Sequence, residues 1–257
     1  MQLTGFAGRN VLVSGAAGGI GRAAITMLNA AGAHVIATDT EQALSTATEL
    51  SKDGIALMPC DLRDPAAVEA MVAEAEASSG PLHLALHAAG VLGTGPILDT
   101  TAEEWRRVQG INLDGSFHFM QAVGRRLRSG SDAALVVISS NAATIPRLDM
   151  GPYCASKAAL TMLTRCLGLE LAQYGVRCNV IAPGSTLTPM QTGMWRDENG
   201  PTRVLAGDLA SYRTGIPLGK LATPEDIAQA AMFLLSDQAG HITMADLYID
   251  GGATLRG

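Results

Sequence analysis

Two hydrophobic periods share the chain. Short apolar runs at residues 11–13, 33–38, 55–60, 82–86, 135–140, 176–182 and 247–250 read as strands covered on both faces. Between them apolar side chains return every three or four positions, the period of an amphipathic helix. The clearest such stretches are 20–31, 65–77, 103–127, a long one from about 152 to 174, and 224–235. In 103–127 the stripe runs through Trp105, Val108, Ile111, Phe119, Val123 and Leu127, and Asn112 interrupts it. A buried amide needs partners, so Asn112 is either a structural hydrogen-bonder or a site residue. Residues 184–215 carry Gly, Pro, Met, Trp and Arg with no clear period. At the carboxyl end of a sheet such a segment reads as a lid. Seven strands alternating with six helices predict one three-layer α/β domain over 1–257, with a doubly wound, mostly parallel sheet.

Composition narrows the class. Of 257 residues, 47% are apolar and 16% are charged, against about 25% charged in ordinary globular chains. That shortage of charge predicts a large core and a surface partly covered by other subunits. A net charge of −6 speaks against nucleic acid, because phosphate binding needs a basic face. Cys60, Cys154, Cys166 and Cys178 show neither CxxC nor metal spacing and read as reduced thiols; no metal is expected. The N-terminal MQLTGFAGRN has no apolar signal core, and no uncharged run nears the ~18 residues of a membrane span. A cytoplasmic protein with no membrane partner is expected.

Candidate chemistry begins at SGAAGGIG, residues 14–21, between the first strand and the first helix. Gly15 allows a tight turn, Gly19 a close backbone approach to phosphate, and Gly21 close helix–strand packing. A pyrophosphate would then sit on the helix N-terminus, where free N–H groups and the dipole favour anions. The spacing is G-x3-G-x-G, and a glycine run in an Ala/Gly-rich chain is weak by itself. Asp39 ends the second strand, where a carboxylate accepts the adenine ribose hydroxyls and repels a 2′-phosphate. No Arg or Lys follows in residues 40–42, so the expected cofactor is NAD. The fourth strand runs into HAAG (87–90), whose small residues let a dinucleotide cross the strand ends at the topological switch point. Tyr153 and Lys157 lie four apart in helical register, which puts phenol and ammonium on one helix face. An ammonium beside a phenol favours phenolate, and such a tyrosine can exchange a proton with an alcohol.

Taken together, SGAAGGIG, Asp39, Asp61, the AAG of HAAG, Asn112, Ser140, YCASK (153–157), PGSTLT (183–188) and the terminal IDGG resemble the short-chain dehydrogenases/reductases over about residues 5–255. The resemblance implies a Rossmann fold and a Ser–Tyr–Lys site assisted by Asn. Tyr153 would be the acid/base. Ser140, thirteen residues earlier, would hold the substrate oxygen, with Ser139 the alternative serine. Lys157 would lower the tyrosine pKa and bind the nicotinamide ribose, and Asn112 would hold a water linking Lys157 to solvent. For the cofactor the resemblance implies Gly15, Gly18, Gly19 and Ile20, then Asp39, Asp61 and Leu62, then Ala89 and Gly90. Thr188 and the backbone of Pro183, Gly184 and Thr186 would reach the carboxamide. It also implies a homotetramer, with the helices 103–127 and 152–173 pairing across one interface and the C-terminal strand near another. Ser14 stands in place of the usual threonine, Lys220 where arginine is common, and His87 in place of asparagine, where bracing of the sheet is the expected role.

Several loop runs, PRLDM (146–150), GLELAQYGVRCNV (168–180), PGSTLTPMQ (183–191), GIPLGK (215–220) and HIT (241–243), resemble a narrower branch of that family. That branch oxidises carboxylated cyclohexadiene diols to aromatic products. An anionic substrate approaching a chain of net charge −6 needs a local cation. Arg147, in the loop between Ser140 and Tyr153, is the first candidate, and Arg196, Arg203 and Arg213 of the lid are weaker ones. Met150, Met190 and Trp195 could wall the ring. The rivals are an amino-substituted dihydro ring, a ketone or ketoacyl reductase, and a dinucleotide-binding protein without catalysis. Asp39 disfavours the second, and the joint presence of Ser140, Tyr153, Lys157 and Asn112 counts against the third.

Overall fold

The structure, a computed structural model, describes residues 2–255; the ends of the expected 1–257 domain lie outside them. β1 (Asn10–Ser14), β2 (His34–Asp39), β3 (Ile55–Pro59), β4 (Leu82–His87), β5 (Ala134–Ile138), β6 (Arg177–Pro183) and β7 (Asp246–Ile249) form one seven-stranded sheet in the order β3-β2-β1-β4-β5-β6-β7. Every neighbouring pair is parallel, so the sheet is wholly rather than mostly parallel. The order reverses between β1 and β4, and their carboxyl ends flank the crevice where such sheets bind ligands.

Among the described residues the helices are α1 (Gly19–Ala30), α2 (Glu41–Leu44), α3 (Pro65–Ser79), α4 (Ala102–Gln109), α5 (Gly115–Leu127), α6 (Gly151–Leu171), α7 (Pro189–Thr192), α8 (Gly200–Ala206) and α9 (Pro224–Leu235). The five stretches with a clear period account for α1, α3, α4 with α5, α6 and α9, while α2, α7 and α8 are too short to show a period. Their longer companions start where capping residues stand. Asp64 accepts from the backbone N–H groups of Ala66 and Ala67 ahead of α3, and Thr223 and Asp226 form a reciprocal capping box on α9.

Successive strand side chains point to opposite faces, and two cores result. Val11, Val13, Val35, Ala37, Leu84 and Leu86 face α1 and α9. Leu12, Ile36, Ala85, Leu135 and Val137 face the layer of α3, α5 and α6. Each fully buried Leu or Val contributes about 1.5–3 kcal/mol relative to exposure. Among the described residues no helix is long and apolar enough to cross a membrane.

Two expectations about local structure need correction. The stretch 103–127 is not one helix: a five-residue π turn, Gly110–Asp114, separates α4 from α5, and Asn112 is its central residue. Of the expected stripe, Trp105 is exposed while Val108, Phe119, Val123 and Leu127 are buried. π turns of this kind gather at functional sites. The fifth strand also ends two residues early, at Ile138, which leaves Ser139 and Ser140 beyond the sheet edge.

Candidate active site

Gly15 carries the turn after β1 in the left-handed region, φ +70°. A Cβ there would sit 2.4 Å from the Ala89 backbone nitrogen, and one on Gly21 would sit 2.1 Å from the Gly15 carbonyl. Side chains are therefore excluded where the glycine turn meets the end of β4. Gly18 caps α1 with no side-chain hydrogen bond, and no acidic residue lies in the first turn. That helix end is left for an anion, as a pyrophosphate requires. A Cβ on Gly19 would meet Thr188 at 3.0 Å, so the two sides of the crevice approach each other there.

Asp39 lies at the mouth of this turn. One carboxylate oxygen accepts from Ala17 N at 3.1 Å and the other from Thr40 N at 2.8 Å. Arg22, the cation nearest the turn in sequence, is committed elsewhere: its guanidinium bonds the Ala17 and Thr46 carbonyls and pairs with Glu49. Asp61, at the neighbouring strand end, pairs with Arg63, which lowers its pKa. The Leu62 carbonyl bonds His118 Nδ1 at 2.9 Å. These residues fit a nicotinamide dinucleotide: an uncapped helix end for phosphates, and a carboxylate beside it with no free cation at hand.

Beyond the strand ends lies a cavity of about 640 Å³. Ser140, Tyr153 and Lys157 line it, as do Arg147, Met150 and Met190. Ile20, Gly90, Pro183, Gly184, Thr186 and Thr188 close its cofactor side. The cavity lining does not include Gly15, Gly18, Gly19, Asp39, Asp61, Leu62, Ala89 or Asn112. All except Asn112 belong to the glycine turn and the neighbouring strand ends.

The structure separates the two serines. Ser139 Oγ donates to the Lys157 carbonyl at 3.2 Å and bonds Thr161 at 2.6 Å, so it is spent on the helix. Ser140 Oγ accepts from Ala142 N at 3.1 Å and lies close enough to the Tyr153 phenol to lower its pKa. Lys157 is buried; its ammonium donates to the Ile138 carbonyl at 3.1 Å and lies 5.8 Å from the Tyr153 ring centre. Gly90 makes room for it, since a Cβ there would be 3.2 Å from Nζ.

The electrostatics differ from the expectation. Burial pushes the Tyr153 phenol up, and the group that pulls it down is Ser140 rather than Lys157. Burial also lowers Lys157 to about 8. Desolvation disfavours charge on both members of the pair and outweighs their mutual help.

Asn112 is a brace. Its Oδ1 accepts from Val91 N at 2.7 Å, and its Nδ2 donates to the Val91 carbonyl at 2.9 Å and to Ser156 Oγ at 3.0 Å. Ser156 in turn bonds the Tyr153 carbonyl at 2.8 Å. His87 feeds the same assembly. Its Nδ1 is 2.7 Å from Ser14 Oγ, its Nε2 is 2.7 Å from Ser116 Oγ, and Ser116 donates to the Asn112 carbonyl at 2.7 Å. Because the Ser116 proton is spent on that carbonyl, the ring is protonated at Nε2 and accepts from Ser14 at Nδ1. Burial, with Lys157 adding to it, holds His87 neutral at about 3. The bracing role expected of His87 is what the geometry gives. Ser116 and Ser156 were missed, since serines inside apolar helices carry no distinguishing pattern.

The expected lid, 184–215, folds as α7, α8 and a loop closed by paired hydrogen bonds between Asp208 and Arg213, both 2.9 Å. Within it Arg196 and Arg203 also line the cavity, Arg196 at an exposed position and Arg203 paired with Asp197 at 2.9 Å. Among the described residues no His, Cys, Asp and Glu cluster could hold a metal.

An open α/β sheet with a phosphate-ready glycine turn, and a serine, tyrosine and lysine across the strand ends, defines an oxidoreductase that uses a nicotinamide dinucleotide. The comparisons with known proteins agree. The sequence profile of a family described as enoyl-(acyl carrier protein) reductase matches residues 15–254. The chain is 44% identical to the 2,3-dihydro-2,3-dihydroxybenzoate dehydrogenase of Bacillus subtilis, covering 99% of both chains. It is 45% identical to the vibriobactin-specific enzyme of the same name from Vibrio cholerae, over 95% of each, and 39% identical to that of Escherichia coli, over 97% and 98%. Among solved structures, a Thermoplasma acidophilum aldohexose dehydrogenase superposes with a TM-score of 0.87 at 26% identity, covering 100% of this chain and 98% of that one. A short-chain type dehydrogenase/reductase from Mycobacterium ulcerans gives 0.87 at 30%, covering 98% and 92%. The chain belongs to the short-chain dehydrogenases/reductases.

Proposed function

We propose that this chain oxidises 2,3-dihydro-2,3-dihydroxybenzoate to 2,3-dihydroxybenzoate with NAD⁺, as a cytoplasmic step in siderophore biosynthesis. The observation that carries the reading is the meeting of Ser140, Tyr153 and Lys157 on one wall of the cavity, in a chain whose relatives bear that activity in their names. The bound dinucleotide supplies the hydride acceptor. Tyr153, as the phenolate that Ser140 favours against the opposing effect of burial, takes the hydroxyl proton of the reacting carbinol, and Ser140 hydrogen-bonds the oxygen as it becomes a carbonyl. Lys157 holds the ribose of the cofactor and stands behind the phenol. A ring proton then moves to the new carbonyl oxygen, and aromaticity makes the sequence one-way. Asp39 selects NAD over NADP.

The reading includes a homotetramer. In its support, α5 and α6 expose Phe117, Met162 and Leu169 along the faces expected to pair. The test is turnover with NAD⁺ on this diol and on 2,3-dihydro-3-hydroxyanthranilate, followed by absorbance of the aromatic product. Turnover of the diol is expected; preference for the amine would move the chain to the rival reading, and activity on neither would sink both.

A further inference from the structure

Arg147 and Arg213 come from separate loops and line the same cavity as Tyr153. The first loop is set by Gly95 N bonding the Asp149 carbonyl at 2.8 Å and by Met150 N bonding the Arg147 carbonyl at 3.2 Å. The second is held by the two hydrogen bonds between Asp208 and Arg213, and by Gly207 and Gly215, which pack backbone to backbone. Met150 joins the loops, with its sulfur 3.7 Å from an Arg213 guanidinium nitrogen.

Neither guanidinium has an ion-pair partner among the described residues. Arg213 Nε is buried with no hydrogen-bond partner at all. The nearby acids are already engaged. Asp208 accepts from Ser211 at 2.7 Å and Ala210 N at 3.0 Å, and Asp250 accepts from Asn141, Gly252 N and Thr254 N. Half-burial and the charge of Arg213 both depress Arg147. Two neighbouring, partly desolvated cations with no carboxylate in ion-pair contact, Asp250 and Asp208 acting on them only from farther off, are an unfavourable arrangement that one anion relieves. Guanidinium suits carboxylate in particular, because its fork matches the two oxygens.

We infer that Arg147 and Arg213 form a two-armed clasp for a single carboxylate on the substrate ring, and that this clasp, rather than the hydroxyl chemistry, selects carboxylated diols over neutral ones. The assignment rests on the proposed function for the identity of the ring, but not for the clasp itself.

The experiment is equilibrium binding of 2,3-dihydroxybenzoate and of catechol to the NADH-loaded protein, compared for wild type, Arg147→Gln, Arg213→Gln and Arg213→Lys. Wild type is expected to prefer the carboxylate by at least about 30-fold. Each Gln variant should lose at least about tenfold of that preference, and the Lys variant less. NADH affinity and Tm serve as folding checks; should Arg213→Gln fail them, Arg147→Gln and Arg213→Lys carry the comparison. No preference in wild type, or an intact preference in the folded variants, overturns the clasp. A protein that binds the carboxylate through both arginines but does not oxidise the dihydrodiol would overturn the proposed function and leave the clasp standing. Oxidation of the diol with a carboxylate preference that the substitutions do not touch would do the reverse.

Discussion

On the sheet side of the cleft a run of polar groups is bonded together, with Thr38 Oγ1 of β2 buried next to it as an exception. Ser14, His87, Ser116, Asn112 and Ser156 form a continuous chain from the end of β1 to α6, and Lys157 is tied to the Ile138 carbonyl. Across the cleft, residues 184–215 leave Arg213 Nε and Trp195 Nε1 buried without partners, and expose Leu209 and Tyr212 almost fully. Saturated groups have one low-energy position each, which suits side chains that must meet a reacting atom at fixed distance. Unsatisfied groups carry a desolvation cost that a ligand can remove, which suits recognition. Rigidity and affinity are thus placed on different walls, and substitutions should separate them.

The largest effect belongs to the sheet wall. Tyr153→Phe keeps the ring and its packing and removes only the group that exchanges the proton. Turnover should fall by about 10³-fold while NADH binding, followed by fluorescence titration, stays close to wild type. Near-wild-type activity would remove Tyr153 from its role and break the contrast at its strongest point. Next is Asn112→Ala, which strands Val91 N, the Val91 carbonyl and Ser156 at a buried position. A loss of about 3 kcal/mol is expected in urea unfolding. A cost below about 1 kcal/mol would mean the brace is not rigid.

Some of this was legible in the chain and some was not. Gly15 could be read because the turn demands a residue type: φ +70° with backbone 2.4 Å from a would-be Cβ admits only glycine. The Tyr153 and Lys157 pair could be read because helical spacing fixes a shared face. The π turn at Gly110–Asp114 could not, since one inserted residue leaves the apolar spacing on either side intact. The phenol's direction of shift was misjudged for a related reason: spacing reports a neighbour but not the burial of both partners. Arg213 was ranked low because its neighbours in space, Met150 and Arg147, lie more than sixty residues away in sequence. Non-local loop closure has no period to detect.

His87 offers a pH test of how tightly the sheet wall is closed. Its folded value of about 3 lies below the ordinary 6.5, so the folded protein keeps the ring neutral where the unfolded chain binds a proton. Stability should therefore fall as pH drops from about 6.5 toward 3, by up to ~1.4 kcal/mol per pH unit. Denaturation of wild type and His87→Asn across that range isolates the contribution, since carboxylates common to both cancel. Parallel curves would show that the ring is reached by water.

The smallest effect comes from Asp39, where the two kinds of wall meet. Its carboxylate is half committed: Ala17 N and Thr40 N each take one oxygen, and a lone pair remains on both. It therefore both braces the glycine turn and stays open to a ligand. Asp39→Ala removes brace and charge together, whereas Asp39→Asn keeps one oxygen acceptor and removes the charge alone. If repulsion of a 2′-phosphate sets the cofactor preference, both variants should shift the NAD to NADP ratio of kcat/KM toward NADP by about tenfold, worth ~1.4 kcal/mol. If bracing matters instead, Asp39→Ala alone should lose activity, with both cofactors equally. Arg22 is engaged by the Ala17 carbonyl and Glu49, which works against its reaching the added phosphate. An unchanged ratio in both variants would therefore mean that cofactor choice lies outside this corner of the crevice.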